Sequence, residues 1–393
     1  MLSLEAALAC ILERSKPLPS ESVPLEYAVG RVPAEPALAR TDLPPFPSSA
    51  MDGFAVRGAE TPGTLPISLR VAAGSPLTDP LATGSAAAIA TGGAVPGGAD
   101  AIVPVEEAVE ENGHVRIAEP PRAGAHIRPR GGDVRKGAVV IPAGVRIGPV
   151  QIGALAAAGV ADIRCFRRPR VFVLATGSEL RAPGETLEPG QIFESNRPTI
   201  AAVLEASGAE VDLLPVVQDE EAAHRAALDR GLAADVLVSS GGVSMGPHDL
   251  VRRVAAELGV EEVFWGVAVK PGKPLSFGVR NQTLVFGLPG NPVSSLVGAL
   301  VFVRPALLAL QGLTDPEPRF QLGRIEIPLR RSGHRDEFLR ARRTVDGRGV
   351  LLRPVIGQES HMIVRAASAD ALVHVPRGTG EIAAGDTVRY LDL

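Results

Sequence analysis

Between Arg170 and Leu313 the sequence alternates between strand-like apolar runs and amphipathic helical segments, and this alternation constrains the fold more than any other feature. The predicted strands are Val171–Ala175, Val211–Pro215, Val236–Ser239 and two or three strands between Val263 and Phe286. The predicted helices are Asn196–Ala206 capped by Ser195, Glu220–Leu232 with Asp219 at its start, His248–Leu258, and the long apolar Val293–Leu310. Strands that alternate with helices form βαβ units. Residues 169–313 are therefore predicted to form a central, doubly wound, mostly parallel α/β domain.

The flanking sequence has a different pattern, in which short apolar runs are separated by glycine and proline; the chain has 43 Gly and 35 Pro. This pattern predicts a Gly/Pro-rich β domain in residues 51–136 and a small C-terminal β-barrel in residues 318–393. Helical periodicity in Leu4–Leu12 and Val150–Ala158 assigns residues 1–50 and 137–168 to a helical and extended linker region. The expected fold class is multidomain, α/β plus β.

Composition and charge exclude several classes of protein. Lys and Arg number 40 and Asp and Glu 44, so the net charge is −4, which argues against a nucleic-acid binder. Two cysteines are too few for a disulfide framework or a multi-cysteine zinc site. The opening segment is an amphipathic helix rather than a signal peptide, and the apolar run Leu296–Leu310, interrupted by Arg304, falls short of a membrane span. We expect a cytoplasmic protein without a nucleic-acid or membrane partner.

Polar and glycine-rich loops follow the predicted strands of the α/β domain. Glu179 lies in the first loop, Asp219 in the second and Asp249 in the glycine-rich third. Ligands of such sheets bind outside the carboxyl ends of the strands, where glycines and helix N-termini favour anions. The pattern predicts a phosphate-bearing ligand, and three carboxylates beside a phosphate suit Mg²⁺. Taken singly, each aspartate is also explained as a helix N-cap.

Two lysines lie three residues apart in the segment Lys270–Pro274, although the chain has only four lysines in total. Proline and glycine restrict this loop, and two ammonium groups on a rigid loop suit a phosphate or another oxyanion. The alternative is an exposed surface turn.

The segment Gly242–Gly246 matches the G-x-S-x-G pattern of a hydrolase nucleophile, with Ser244 as the serine. A catalytic triad would need a downstream histidine, but His248 is too close in sequence and the later histidines fall in the β-type tail. The seven histidines also show no metal-binding spacing. The esterase hypothesis is therefore weak.

Several sequence strings, in one order along essentially the whole chain, resemble a known family. They are residues 47–55, 90–93 continuing to 96–100, 190–196, 241–249, 270–274 and 287–295. The chain resembles the MoeA-type molybdopterin molybdenumtransferases, a family that includes the E domain of gephyrin. The resemblance implies the last step of molybdenum cofactor synthesis, in which molybdate enters adenylylated molybdopterin and AMP leaves in a Mg²⁺-dependent cleavage. A non-catalytic molybdopterin-binding or scaffold protein is the alternative.

The resemblance also implies the roles of individual residues. It implies catalytic roles for Asp219, Asp249, Glu179, Lys270 and Lys273, with Glu179, Asp219 and Asp249 also binding the metal. It implies substrate binding by Asp52, Thr91, Asp133, Ser244, Pro289, Pro292, Arg340 and Ser360. Further implications are a homodimer whose sites are shared between the chains, and the molybdopterin adenylyltransferase as a candidate partner.

The sequence departs from the usual family pattern at three positions. Ser178 occupies a place where an acidic residue is common, Gly132 one where glutamate is usual, and Phe54 one where tyrosine is common. These differences remove possible carboxylate and hydroxyl groups, so they affect the expected metal coordination rather than the reaction class.

Overall fold

The computed structural model describes residues 1–75, 79–242 and 250–393. These residues form two compact units: unit 1 contains Met1–Glu21, Gly30–Val32 and Phe166–Leu393, and unit 2 contains Ser22–Val29 and Pro33–Cys165. The helices are Leu4–Arg14 (α1), Pro149–Ala157 (α2), Asn196–Ala206 (α3), Glu221–Gly231 (α4), Leu250–Glu257 (α5), Pro292–Gly298 (α6), Arg304–Leu310 (α7) and Ile363–Ala366 (α8). A π-helical stretch, Ala299–Val303, joins α6 to α7, and 3-10 turns cover Leu25–Tyr27, Gly58–Glu60 and Val105–Glu107.

Unit 2 is built around a β-sheet. Its strands are Gly53–Val56 (β1), Gly63–Val71 (β2), Ala86–Ile89 (β3), Ala101–Pro104 (β4), Ala108–Glu111 (β5) and His114–Ile117 (β6), in the spatial order β4-β1-β3-β2-β6-β5. Only the β2–β3 pair is parallel among these described strands. Short strands outside this sheet are Ser20–Pro24, Ala37–Leu38, Ser48–Ser49, Ile127–Arg128, Val139–Ile141 and Asp162–Phe166. The many short strands agree with the Gly/Pro-rich β pattern.

The sheet of the α/β domain lies in unit 1. The strands of this part of the chain are Arg170–Ala175 (β7), Glu210–Leu213 (β8), Val236–Ser240 (β9), Glu261–Trp265 (β10), Val269–Lys270 (β11), Ser276–Arg280 (β12) and Thr283–Leu288 (β13). All of them except β11 belong to this sheet. The spatial order is β8-β7-β9-β13-β12-β10, in which the first four strands pair in parallel, and the pairings β13–β12 and β12–β10 are antiparallel. The predicted doubly wound, mostly parallel sheet is confirmed.

Helices cover both faces of this sheet because its strands are apolar on both sides. One buried cluster joins the sheet to α1, α3, α6 and α7, and another joins it to α4 and α5. Leu4, Ala7 and Ile11 of α1 are buried in the first cluster. The N-terminal helix therefore packs into the α/β core, whereas the sequence interpretation placed residues 1–50 in a linker region. The rest of the predicted four-part division remains a prediction.

The helical stretch Pro292–Leu310 is the one helix in the described ranges that is long and apolar enough to cross a membrane. The helix is longer than the apolar run Leu296–Leu310 because it begins at Pro292 and continues through Pro305, which occupies the first turn of α7. However, 83 % of the most apolar part of the helix is buried inside the protein, as in a core helix of a globular domain.

The C-terminal segment forms the predicted barrel. Its strands are Gln321–Ile325 (β14), Asp336–Asp346 (β15), Gly349–Pro354 (β16), Ala371–Val375 (β17) and Thr387–Asp392 (β18), and the minor strands Leu329–Arg330 and Glu381–Ile382 pair with each other. The order β15-β16-β14-β18-β17 closes because β17 also pairs with β15. β11 adds to this barrel as a parallel neighbour of β15.

A buried histidine, His374 on β17, lies beside the start of β15 on the outer face of the barrel, the same face whose Leu372 packs into the α/β core. The Nε2 of His374 is 2.9 Å from Oδ1 of Asp336, and Nη2 of Arg389 is 3.1 Å from its Nδ1. A guanidinium can only donate, so Nδ1 accepts and the neutral ring donates Nε2–H to Asp336. Burial lowers the pKa of His374, and the hydrogen bond that its ring donates to Asp336 opposes this effect only in part.

Candidate active site

A cavity of about 730 Å³ opens at the carboxyl ends of the parallel strands in unit 1. Its lining includes Glu179, Asn196, Asp219, Ser240, Pro289 and Pro292. These residues come from five separate segments, each of which lies at the end of a strand, in a loop, or at the start of a helix of the α/β domain. The structure therefore brings together four of the residues singled out in the sequence, namely Glu179, Asp219, Pro289 and Pro292.

Two glycines at the end of β9 allow neighbouring loops to approach closely. Gly241 and Gly242 have φ values of +92° and +64°, in the region that favours glycine. A Cβ at position 241 would lie 2.8 Å from the carbonyl oxygen of Thr176, which is closer than real Cβ contacts. The glycine-rich sequence is thus required by the contact between the β7 and β9 loops.

Asp219 has no N-cap role in the structure. α4 begins at Glu221 with Glu220 at the N-cap position, so the predicted helix start is wrong by one residue. The Oδ2 of Asp219 instead accepts a hydrogen bond from the backbone N–H of Ser178 at 3.1 Å, and the Ser178 hydroxyl accepts one from the N–H of Asp219. Ser178, the departure from the family pattern, therefore fixes the Asp219 loop beside the loop that carries Glu179.

Asn196 joins three of the cavity loops. Its Nδ2 donates to the Ser240 hydroxyl at 2.8 Å and to the carbonyl of Gly290 at 2.7 Å. Its Oδ1 is buried and has no hydrogen-bond partner in the part of the chain that the structure describes. The sequence interpretation gave Asn196 no role. The available signal was an asparagine at a helix start, directly after a strand-end loop.

Glu194, not Ser195, caps α3. Glu194 is 2 % exposed, and its Oε1 accepts hydrogen bonds from the backbone N–H groups of Asn196 and Arg197 at 2.6 and 2.8 Å. Its Oε2 pairs with Nε of Arg197 at 3.0 Å. The side chain of Ser195 makes no capping hydrogen bond, so the predicted serine cap is wrong. A carboxylate at this helix start also complements the helix dipole.

The predicted lysine loop lies next to the cavity, although its lysines do not line it. Pro274 is a lining residue, whereas Lys273 is exposed. Nζ of Lys270 forms an ion pair of 3.3 Å with Oε1 of Glu337, the residue opposite it on β15. This pairing holds the start of the loop against the barrel, so the loop is not a free surface turn.

Arg340 and Ser360 belong to one local arrangement. Arg340 is 0 % exposed, and its Nη2 donates to the carbonyls of Gly357 at 2.6 Å and Glu359 at 3.4 Å. Burial lowers the pKa of its guanidinium. Ser360 accepts a hydrogen bond from Nδ2 of Asn291 at 2.9 Å. Arg340 thus holds the loop that carries Ser360 against the cavity rim, and in this geometry it does not reach the cavity itself.

The remaining predicted substrate residues that the structure describes lie in unit 2. Oδ1 of Asp52 accepts a hydrogen bond from the backbone N–H of Thr91 at 2.7 Å, so the structure brings these two residues together. Asp133 is exposed. Asp42, which was not among the residues singled out in the sequence, accepts hydrogen bonds from the backbone of Lys136 and the side chain of Arg130 and fixes the loop that carries Asp133.

Ser244 and Asp249 lie outside the described residues. Glu179 and Asp219 line one cavity and supply oxygen ligands of the kind that Mg²⁺ prefers. Across residues 1–75, 79–242 and 250–393, no group of three or more His, Cys, Asp or Glu residues could hold a metal ion. A complete magnesium site in this chain would therefore need Asp249, substrate oxygens or water.

Three family models match successive parts of the chain. The MoeA N-terminal region, described as domains I and II, matches residues 2–159. A probable molybdopterin binding domain matches residues 172–309, and the MoeA C-terminal region, described as domain IV, matches residues 323–393.

Relatives and solved structures agree with these matches. A molybdopterin molybdenumtransferase of Haemophilus influenzae is 34 % identical over 99 % of this chain and 98 % of its own length, and molybdopterin molybdenumtransferase 2 of Mycobacterium tuberculosis is 37 % identical over 95 % of both. A molybdopterin biosynthesis MoeA protein from Pyrococcus horikosii is 31 % identical, with a TM-score of 0.83 over 100 % of this chain and 99 % of that one. The chain belongs to the molybdopterin molybdenumtransferase family, and it is an enzyme of molybdenum cofactor biosynthesis.

Proposed function

We propose that this enzyme inserts molybdate into adenylylated molybdopterin and releases AMP in a Mg²⁺-dependent cleavage. The observation that supports this most directly is the strand-end cavity, which combines Glu179 and Asp219 with the Pro289–Pro292 loop at the start of a long helix. Strand ends and helix N-termini are the usual place for phosphate-bearing ligands in α/β sheets. Two carboxylates next to such a ligand need a cation between them and the phosphates.

In this proposal Glu179, Asp219 and Asp249 would hold Mg²⁺, which would supply positive charge for the phosphate groups. The ion, when bound, would act as a Lewis acid that neutralises charge on the phosphoryl oxygens. The hydrogen bonds between Asp219 and Ser178 fix the loop in advance, which reduces the reorganisation needed on binding. The Pro289–Pro292 loop, anchored to Asn196 through Gly290, shapes the pterin side of the cavity.

The molybdate end is assigned to the lysine loop and the loop of Ser360. Lys270 and Lys273 carry the positive charge that an oxyanion requires. Glu337 orients Lys270 through the ion pair, while Arg340 orients the loop of Ser360 through backbone carbonyls. Direct contact of Arg340 with molybdate stays a prediction, because its guanidinium is buried in the described geometry.

The proposal extends to assembly and location: a cytoplasmic homodimer in which Asp52, Thr91 and Asp133 of one chain complete the site of the other, and which receives its substrate from the molybdopterin adenylyltransferase. Refolding a mixture of Asp52→Ala and Asp219→Ala chains tests the shared site. If sites are shared, about half the dimers are mixed and one of their two sites has no lesion, so about a quarter of wild-type activity returns. Activity that stays at the level of the single variants would contradict the shared site.

The central experiment measures AMP release from adenylylated molybdopterin with and without molybdate and Mg²⁺. We expect release only when both are present, a loss of most activity in Asp219→Asn, and near wild-type activity in the control Asp229→Asn, which changes an exposed aspartate on α4. Thermal melting of each variant verifies folding. Substrate binding without AMP release by the wild-type protein would contradict the enzymatic proposal and support the non-catalytic alternative.

A further inference from the structure

Two arginines face each other across the outer surface of the C-terminal barrel. Arg342 on β15 lies directly opposite Arg353 on β16 in the antiparallel pairing. Both are exposed, while Ala341, the neighbour of Arg342 on the other face, is fully buried. Like charges at directly opposite positions destabilise a strand pair. This arrangement therefore needs a compensating negative charge.

Only part of that compensation comes from the protein. Arg353 forms a bidentate ion pair with Glu326, with two N–O distances of 2.6 Å. Arg342 makes no ion pair with any carboxylate of the described chain. A third arginine, Arg365 on α8, makes none among the described residues either. The only hydrogen bond of the Arg365 guanidinium among described residues is a long one, 3.4 Å from Nη1 to the carbonyl of Ile356. The guanidinium charges of Arg342 and Arg365 therefore have no carboxylate partner among the described residues.

These arginines line a cavity of about 360 Å³. It shares no lining residue with the strand-end cavity. One wall is apolar and consists of Pro354, Val355 and Ile356, and Ile356 is 85 % exposed. An isoleucine that is this exposed beside unpaired arginines leaves both apolar and cationic surface open to solvent.

We propose that this cavity binds the phosphate group of a small organic phosphate. Guanidinium groups match phosphate geometry with paired N–H donors, and such charge-assisted hydrogen bonds are the stronger ones. Glu326 neutralises one of the three arginines, and the remaining two charges equal that of a phosphate dianion. The apolar wall next to the arginines accommodates the organic part of the ligand. This binding site is separate from the proposed active site and does not depend on its chemistry.

The test is isothermal titration calorimetry of the full-length protein with inorganic phosphate and with phenyl phosphate, at constant ionic strength set with chloride. We expect saturable binding of both, tighter for phenyl phosphate, and Ile356→Ser should remove most of the difference. Arg342→Gln and Arg365→Gln should each weaken binding by about tenfold, as expected for the loss of a charge-assisted hydrogen bond.

Two control variants locate the site. Arg348→Gln removes an arginine from the turn between β15 and β16, outside the cavity, and Lys273→Ala removes a cation next to the strand-end cavity. Arg348→Gln should bind phosphate as the wild type does, and Lys273→Ala should keep the binding event that Arg342→Gln and Arg365→Gln weaken. Absence of saturable binding in the wild type, equal weakening by Arg348→Gln, or loss of binding in Lys273→Ala alone would each overturn the proposal.

Thermal melting supplies a second readout that does not depend on heat of binding. Without phosphate, Arg342→Gln should melt at a slightly higher temperature than the wild type, because it removes the like-charge pair. Phosphate should stabilise the wild type more than the variant. Equal stabilisation of both proteins would contradict a role for Arg342.

Discussion

The residue that caps α3 can be identified by mutation, because the sequence predicts Ser195 in this role and the structure shows Glu194. The change is Glu194→Gln, which keeps the shape of the side chain and one oxygen acceptor but removes the charge. The lost interactions are the buried ion pair with Arg197 and the charge on two hydrogen bonds to backbone N–H groups. Ser195→Ala is the competing change.

The expected magnitudes differ by several fold. Breaking a buried ion pair by removing one partner costs about 3–5 kcal/mol. We expect the low end, about 3 kcal/mol, because the Arg197 side chain is 15 % exposed and also donates to the carbonyl of Leu214. Ser195→Ala should cost less than about 0.5 kcal/mol, since its side chain makes no capping hydrogen bond. A serine cap would instead predict about 1 kcal/mol for that change.

Amide hydrogen exchange in the first turn of α3, combined with urea unfolding, measures both effects. Exchange is needed because unfolding of a multidomain chain is not two-state, whereas local opening reports the helix itself. Glu205→Gln, an exposed position on the same helix, is the charge-matched control. If Ser195→Ala accelerates exchange as much as Glu194→Gln does, the capping argument is refuted.

Three further predictions use other parts of unit 1. Gly241→Ala should destabilise the protein by about 1–3 kcal/mol and reduce AMP release, because its Cβ would clash with the carbonyl of Thr176 at positive φ; melting and activity on one preparation check this. Lys273→Ala should raise the molybdate concentration for half-maximal rate more than Lys16→Ala, and equal small effects would contradict a role for the lysine loop. Burial lowers the pKa of His374 in the folded state, so the unfolded chain binds a proton at this residue more readily than the folded protein does. The stability that the neutral His374 contributes is therefore present above the ordinary pKa of about 6.5 and is lost as the pH falls through the folded-state pKa. Melting temperatures between pH 7 and 5 should therefore fall less steeply in His374→Gln, and parallel curves would refute this.

The sequence predicts the α/β domain well because burial imposes its pattern on each element separately. The predicted helix Asn196–Ala206 has the observed bounds, and strand Val171–Ala175 differs by one residue at its start. The helix is buried along one face with the period of about 3.6 residues, and the strand is a short apolar run that is buried on both faces. The strand-end cavity follows from the same logic, since parallel strands bring their terminal loops to one edge.

The errors and omissions concern interactions between residues distant in sequence. The buried guanidinium of Arg340 is covered by the loop at residues 357–359, and the amide of Asn196 meets the carbonyl of Gly290. Nothing within the local sequence around Arg340 or Asn196 signals those partners. The prediction of the α3 cap was wrong for a different reason. Serine is a common N-cap, but the buried Glu194, one residue before Ser195, accepts the N–H groups of the first turn and also pairs with Arg197.

The pairing of β11 with β15 limits how far the parts of unit 1 can be treated as interchangeable modules. The strand Val269–Lys270 belongs by sequence to the α/β domain but is hydrogen-bonded to Asp336 and Glu337 of the barrel. Truncation after α7 would therefore leave an open strand edge and release the backbone just before the lysine loop. An insertion or deletion in the barrel that changes the register of β15 would also displace Lys270, because β11 pairs with β15. Recombination between relatives should succeed more often when this strand and the barrel are inherited from the same parent.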